Sequence, residues 1–192
     1  MEPTKLDRTE RLPIDDPEQL QIHATDAMKN VISDTFNVMA GMQVRIGSEY
    51  TLAATGHLER RISGVIGWVG EWNGTGILDC EPEFAWYLAN RMLGTHGEDL
   101  NEEALDVIAE MSNILFGGMK TALEPTYGQM GLSLPTVIYG NNVGMRSVGA
   151  AFTIVPFEID EHKLMVRMHF VRAEKRVSST TQFWAATSSG AL

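Results

Sequence analysis

The sequence has a single cysteine, no long apolar run and few basic residues for its size. Because Cys80 is the only cysteine, an intrachain disulfide and a zinc site built from several cysteines are excluded. No stretch reaches the roughly 18 apolar residues that a membrane-spanning helix needs, and the first residues lack the apolar segment of a signal peptide. We therefore expect a cytoplasmic protein with no part in a membrane.

The shortage of positive charge narrows the choice of partners. The chain has 15 Lys and Arg residues and 25 Asp and Glu residues, which gives a formal net charge of −10. Nucleic acids and anionic membrane surfaces select proteins with basic faces, so we expect neither as a partner. The five histidines show no close spacing typical of metal ligands, and we predict no metal site. Apolar residues make up 44% of the chain, which is enough for one domain with a core.

Helical and strand patterns lie between two polar ends of the chain. Residues 1–20 are polar and contain three prolines, so we interpret them as a lead-in. Residues 175–192 are rich in Ser, Thr and Ala and are predicted to form a loose tail. The domain in between, residues 21–174, shows the order helix, strands, two helices, strands, which is typical of an α+β fold.

Turn and cap residues predict where several elements begin and end. Pro82 and Gly94 suit the start and the end of one helix, and Asn101 suits the N-cap of the next. Asn73-Gly74 between two β-type runs predicts the turn of a hairpin. No Gly-Lys-Ser/Thr follows it, so it is not a phosphate-binding loop.

The segment DVIAEMSNILFGGMK, residues 106–120, predicts a helix with an unusual polar stripe. On a helical wheel of about 100° per residue, the residues within about 60° of Asn113 are Asp106, Glu110, Gly117, Lys120 and Glu124. Glu110 and Asn113 are thus expected side by side on the exposed face. Gly117 would remove bulk one turn later and let another surface approach, whereas Gly118 points away and could serve helix packing. The simpler interpretation of this face alone is a solvated helix surface.

A second segment repeats the pattern. A shift of 76 residues places VISDTFNVMAG, residues 31–41, on VIAEMSNILFG, residues 107–117. Asp34 then matches Glu110, Asn37 matches Asn113 and Gly41 matches Gly117. Either chance in a helix-rich chain or a domain made of two related halves accounts for the match.

Three segments of the chain are distinctive: ISGVIGWVGEWNGTGILDCEPEFAWYLANRMLG, DVIAEMSNILFGGMKTALEP and LSLPTVIYG. The most specific feature is the spacing of Asp106, Glu110 and Asn113, followed by Gly117 and then by LPTV at residues 134–137. On these features, residues 27–171 resemble the CheC, CheX and FliY family of chemotaxis phosphatases, and the CheX type in particular.

The resemblance implies a CheC-like α/β fold with internal pseudo-symmetry, in which a sheet packs against long helices. It also implies a phosphatase that hydrolyses the aspartyl phosphate of a CheY-type response regulator. By this resemblance Asn113 would orient the attacking water, Glu110 would pair with a lysine of the partner, and Gly117 would let the partner approach. Neither a metal nor a nucleophile is then needed from this chain, because the regulator carries its own Mg²⁺. The resemblance further implies a homodimer paired through sheet edges.

Two alternatives stay open. The CheC branch of the family uses the acidic-x-x-Asn motif on both helices, whereas CheX uses one. Here the first copy has Asp34, one methylene shorter than Glu, so we assign activity first to Glu110 and Asn113 and keep Asp34 and Asn37 as a second candidate site. The alternative function is a non-catalytic binding or adaptor module of the flagellar switch or signalling apparatus. The presence of both Glu110 and Asn113 favours the enzyme, because a scaffold has no need of them.

Overall fold

A computed structural model describes residues 15–52, 56–58, 60–141, 143–145 and 151–173 as three helices and ten strands. The helices are α1 (Pro17–Ala40), α2 (Pro82–Leu93) and α3 (Glu102–Tyr127). The strands are β1 (Val44–Ile46), β2 (Tyr50–Leu52), β3 (Gly56–Leu58), β4 (Arg61–Gly70), β5 (Trp72–Cys80), β6 (Met130–Leu132), β7 (Thr136–Gly140), β8 (Val143–Met145), β9 (Phe152–Ile159) and β10 (His162–Arg172). Within these ranges no helix has the length and hydropathy of a membrane span. The tail predicted at residues 175–192 and the lead-in up to residue 14 lie outside the described residues.

The helices begin and end at residues whose chemistry favours caps. The Asp16 carboxylate accepts hydrogen bonds from two backbone N–H groups of the first turn of α1, at 2.9 and 3.2 Å. α1 therefore starts at Pro17, inside the segment predicted as lead-in. The predicted caps of the other helices are confirmed. α2 starts at Pro82 and is followed by Gly94 in the left-handed region, and the Asn101 side chain caps α3.

The first hairpin is present, but its turn was predicted at the wrong place. β4 ends at Gly70 and the chain reverses at Glu71, whereas Asn73 and Gly74 lie within β5. Gly74 pairs with Trp68 across the ladder, and a Cβ at Gly74 would overlap the Trp68 indole. This glycine thus permits close packing inside a strand, which is the other common reason for a glycine in a β-type run.

A second hairpin joins β9 and β10. β9 and β10 pair antiparallel, and the chain reverses at Asp160 and Glu161. Asp160 takes a φ of 53°, the left-handed conformation that Asp tolerates better than most residues. Its side chain accepts a hydrogen bond of 2.6 Å from the Tyr87 hydroxyl, which ties α2 to this turn.

The strand pairings confirm the internal pseudo-symmetry. The main sheet has the order β1-β9-β10-β5-β4-β6, β2 also pairs with β9, β7 also pairs with β4, and β3 pairs with β8 in a separate ribbon. Exchanging α1 and β1–β5 with α3 and β6–β10 leaves every one of these pairings unchanged. β5 and β10 lie at the centre of the exchange, and within the described residues α2 has no counterpart in it. The chain is therefore an α+β fold built from two related halves.

The 76-residue shift holds for only part of each half. Gly41 ends α1 in the left-handed region with a φ of 63°, whereas Gly117 lies inside α3, which continues to Tyr127. The two glycines therefore have different structural roles. The equivalent elements of the two halves are offset by more than 76 residues, because Pro17 and Glu102 begin the helices, 85 residues apart, and Val44 and Met130 begin the strands that follow, 86 residues apart.

The main core lies between the helices and one face of the sheet. Its members from β5 and β10 include Leu78 and Val166, both fully buried, and they pack with buried residues of the three helices. Side chains alternate between the faces of a strand, so Asp79 and Arg167 face the other way. There the Asp79 carboxylate pairs with the Arg167 guanidinium and accepts a hydrogen bond from Ser63, which satisfies a charge that is fully buried.

Candidate functional site

Glu110 and Asn113 lie next to each other on α3, three residues apart and on the exposed side. Within the described part of the chain, neither side chain has a hydrogen-bond or ion-pair partner. Met111 and Ser112, which lie between them in the sequence, and Leu115, two residues further on, are fully buried. The carboxylate and the carboxamide are thus presented to solvent by a helix whose opposite side is fixed in the core.

Ser112 fixes the orientation of α3 against the sheet, so that the stripe with Glu110 and Asn113 faces outward. Its hydroxyl donates a hydrogen bond of 2.8 Å to the Ile108 carbonyl, and a Cβ at Gly64 of β4 would overlap the same hydroxyl. The backbone of β4 therefore approaches α3 directly at Ser112, beside Asn113. Sequence reasoning missed this contact because the two residues are distant in the chain and neither is unusual in its own segment.

The two glycines of α3 differ in their surroundings. A Cβ at Gly117 would meet no heavy atom of the described residues within 4 Å. A Cβ at Gly118 would lie 2.8 Å from a Val31 methyl of α1, which is closer than carbon atoms pack. Gly118 thus permits α1 and α3 to approach each other, as the alternative interpretation allowed. Gly117 leaves a gap in the exposed stripe, one turn beyond Asn113.

The charges at the far end of the stripe satisfy one another. Lys120 and Glu124 form an ion pair of 2.8 Å, and the Glu124 carboxylate also accepts the Met130 N–H at 3.0 Å. The hydrogen bond from Lys120, followed by the one from the backbone, lowers the pKa of Glu124 below its ordinary value. Among the described residues, the polar side chains of the stripe without a partner are Asp106, Glu110 and Asn113.

The second candidate pair lies at the end of a helix rather than inside one. Asp34 and Asn37 are both exposed on α1, but the Asn37 carbonyl accepts the N–H of Gly41, which ends the helix. The Asn37 side-chain oxygen also accepts a long hydrogen bond of 3.4 Å from Gln43. Beyond Asn37 the chain turns away toward β1, so this pair lacks the open helical turn that follows Asn113.

In the described residues, no group of three or more His, Cys, Asp or Glu side chains converges in a way that could hold a metal ion. The titratable groups of the stripe are spread along the helix surface instead. This arrangement provides an acceptor, a donor and a negative charge at an open surface, which suits the orientation of a small molecule or of a partner's groups.

A family model and several solved structures match this chain, and they point to the same group of proteins. The family model "Chemotaxis phosphatase CheX" matches residues 62–158, a range that includes Glu110 and Asn113. A search of curated proteins found no match. Among solved structures, a CheC-like superfamily protein from Shewanella sp. PV-4 is similar with a TM-score of 0.70 and 22% identity, over 78% of this chain and 98% of that one.

Two further structures carry the name CheX. The chemotaxis protein CheX from Vibrio vulnificus has a TM-score of 0.68 and 22% identity, over 77% of this chain and 99% of that one. CheX from Borrelia burgdorferi, in a complex with CheY, BeF3 and Mg²⁺, has a TM-score of 0.61 and 21% identity, over 81% of this chain and 97% of that one. At these identities the structural likeness shows that the fold is shared.

Proposed function

Because the chain belongs to the CheX family of chemotaxis phosphatases, we propose that it hydrolyses the aspartyl phosphate of a CheY-type response regulator. The observation that carries this function is the pair Glu110 and Asn113, exposed side by side on α3 without partners in the described chain. The similar protein from Borrelia burgdorferi, solved in a complex with CheY, supports the choice of partner.

We assign the orientation of the attacking water to Asn113. An aspartyl phosphate already has a good leaving group, so its hydrolysis depends mainly on a water held in line with phosphorus. The Asn113 carboxamide offers one acceptor oxygen and one donor NH₂ on a short side chain. It projects from a helix whose residues Met111, Ser112 and Leu115 are fully buried, so the position of its backbone is fixed.

We assign the docking contact to Glu110. Its carboxylate lies one turn from Asn113 and can pair with a lysine beside the phosphorylation site of the regulator, which fixes the register of α3 in the partner's cleft. Gly117 continues the same face without a side chain, so the regulator can approach the helix backbone. Mg²⁺ belongs to the regulator in this scheme, and this chain supplies neither a metal nor a nucleophile.

The edges of the sheet are consistent with the proposed homodimer. Tyr50 and Leu52 on β2, and Tyr139 on β7, are large apolar side chains that are about half exposed or more, at 47%, 45% and 61%. Both strands pair with a neighbour on one side, β2 with β9 and β7 with β4. Pairing of such an edge with a second copy would cover these side chains, and the molar mass in solution tests this.

The experiment that tests the function is phosphate release from a phosphorylated CheY-type regulator with and without this protein. We expect Asn113→Ala to lower the stimulated rate by about 10²-fold, as does the loss of one preorganised group that acts in the transition state. Folding should change little because Asn113 is exposed and makes no contact that the fold needs. Asn30→Ala, an exposed asparagine on α1, is the matched control.

The outcomes separate the enzyme from the adaptor. Full activity in Asn113→Ala would contradict the proposed mechanism. Binding of the regulator without any stimulated release of phosphate from the wild-type protein would favour the alternative, a non-catalytic binding module of the flagellar switch or signalling apparatus.

A further inference from the structure

A cavity lies on the face of the sheet that is turned away from the helices. It has a volume of 520 Å³ and is lined by residues of β1, β9 and β10 and by Arg61 at the start of β4. Phe157 and Leu164 belong to the core under the helices. Because side chains alternate along a strand, their neighbours Pro156 and Met165 face the cavity side. The cavity is therefore on the opposite side of the sheet from Glu110 and Asn113.

The charge of the cavity is opposite to that of the protein. Three of its lining residues are basic, Arg45, Arg61 and Lys163, and one is acidic, Glu158. The whole chain, in contrast, has 25 acidic and 15 basic residues. The basic side chains at the cavity attract anions at short range, although the net negative charge of the whole protein repels anions at long range.

The strand register explains how these charges are placed. Arg45 of β1 and Lys163 of β10 both pair with Glu158 of β9, one from each side. The Arg45 guanidinium forms an ion pair of 3.1 Å with Glu158, which leaves the Lys163 ammonium with no ion-pair partner in the described residues. The Arg61 guanidinium donates to the Lys163 carbonyl at 3.3 Å, and its nearest carboxylate, Glu81, is 4.0 Å away.

The floor of the cavity is apolar. Pro156 and Met165 are paired across the ladder, two residue pairs inward from Glu158 and Lys163 and therefore on the same face of the sheet. Both are partly buried, and the flexible thioether of Met165 can adapt to the shape of a ligand. The cavity volume of 520 Å³ lies within the size range of small-molecule pockets, about 300–1,000 Å³. An apolar floor with a few charged groups is also typical of such pockets.

We propose that this cavity binds a small organic anion, with one carboxylate, sulfonate or phosphate group held by Lys163 and Arg61 and an apolar body placed on Pro156 and Met165. The unpaired Lys163 supplies the charge that the ligand neutralises. This site is separate from the α3 stripe and does not depend on the proposed phosphatase function.

The anionic fluorophore 8-anilinonaphthalene-1-sulfonate is a suitable probe because it combines a sulfonate with an aromatic body. We expect saturable binding of one probe per chain, weakened by about fivefold in Lys163→Gln, the usual magnitude for one exposed charge contact. Lys163→Arg should retain the affinity. Lys29→Gln is the matched control, because Lys29 lies on α1 and pairs with Glu49. Melting temperatures of all variants exclude unfolding as the cause of a changed signal.

The position of the bound probe is checked by NMR of methyl-labelled methionines. The chain has 11 methionines, and the Met165 signal is assigned by its loss in Met165→Leu. Its shift should saturate with the probe concentration, whereas that of the fully buried Met111 of α3 should not move. Phenyl phosphate should displace the probe and benzyl alcohol should not. An unmoved Met165 signal, or equal affinity in Lys163→Gln and the wild type, would overturn the proposal.

Discussion

Asn113 is a residue that the helix itself does not favour. Asparagine and glycine are among the poorer helix formers, costing roughly 0.5–1 kcal/mol each relative to alanine. Gly118 offsets this cost by permitting the contact with α1, but Asn113 and Gly117 have no such contact in the described structure. Helix stability therefore does not explain these two residues, whereas the proposed encounter with a partner surface would.

The role of Glu110 can be tested by removing its charge alone. Glu110→Gln keeps the size of the side chain and should weaken binding of the activated regulator by about fivefold, as expected for one charge pair at an interface. Wild-type binding should also weaken as salt rises. Titrations at low and high ionic strength measure both effects, with Glu103→Gln on the first turn of α3 as the control. Binding that ignores salt and is unchanged in Glu110→Gln would count against the lysine pair.

At the scale of elements, α3 combines a buried side that fixes its position with an exposed side that is free for a partner. Adjacent glycines belong to different sides, because successive residues of a helix point about 100° apart. Gly118 faces Val31 of α1, and Gly117 faces open space. The same change at these neighbouring positions should therefore have different consequences.

Alanine substitution at each glycine separates packing from exposure. Both changes gain about 1 kcal/mol of helix propensity, but only Gly118→Ala must displace the stiff Val31 side chain. Overpacking of this kind costs about 1–3 kcal/mol, so Gly117→Ala should have the higher free energy of unfolding by that amount. Urea unfolding of both variants measures the difference. Equal stabilities would show that α1 moves aside at no cost.

The sequence predicts those features of the elements that depend on local chemistry. Pro82, Gly94 and Asn101 were assigned correctly because helix caps are formed by residues close in the chain. The turn predicted at Asn73-Gly74 was misplaced because Gly74 does not form a turn. It leaves room for the Trp68 side chain of the neighbouring strand. Such contacts become visible only when the register is known. The exposed pair on α3 was predictable from periodicity, but the contact of Ser112 with Gly64 that seats it was not.

At the scale of the whole molecule, the two halves share a pattern of strand pairing but have diverged in their helices. β1 pairs with β9 as β6 pairs with β4, and the equivalence extends to every pairing of the main sheet. α3 continues for ten residues beyond Gly117, whereas α1 stops at Ala40. The two helices have similar lengths, 24 and 26 residues, but only in α3 is the acidic-x-x-Asn pair followed by several further helical turns. The two related helix surfaces therefore differ in how much exposed helix follows the acidic-x-x-Asn pair.

The unequal surfaces lead to a prediction about the Asp34 and Asn37 pair. Asp reaches less far than Glu, and Asn37 is followed by the end of α1 and accepts a hydrogen bond from Gln43. We therefore expect Asn37→Ala to leave the stimulated phosphatase rate within about twofold of the wild type, well below the loss expected from one preorganised group.

The decisive comparison uses variants in which the α3 site is already impaired. The residual rate of Asn113→Ala should equal that of the double variant Asn37→Ala, Asn113→Ala, because a helix that ends at Ala40 cannot present the continuous face with which α3 is proposed to meet the regulator. Phosphate release measured at high protein concentration makes a weak residual rate visible. A further drop in the double variant would show that α1 carries a second working site, and that the pseudo-symmetry of the fold extends to its chemistry.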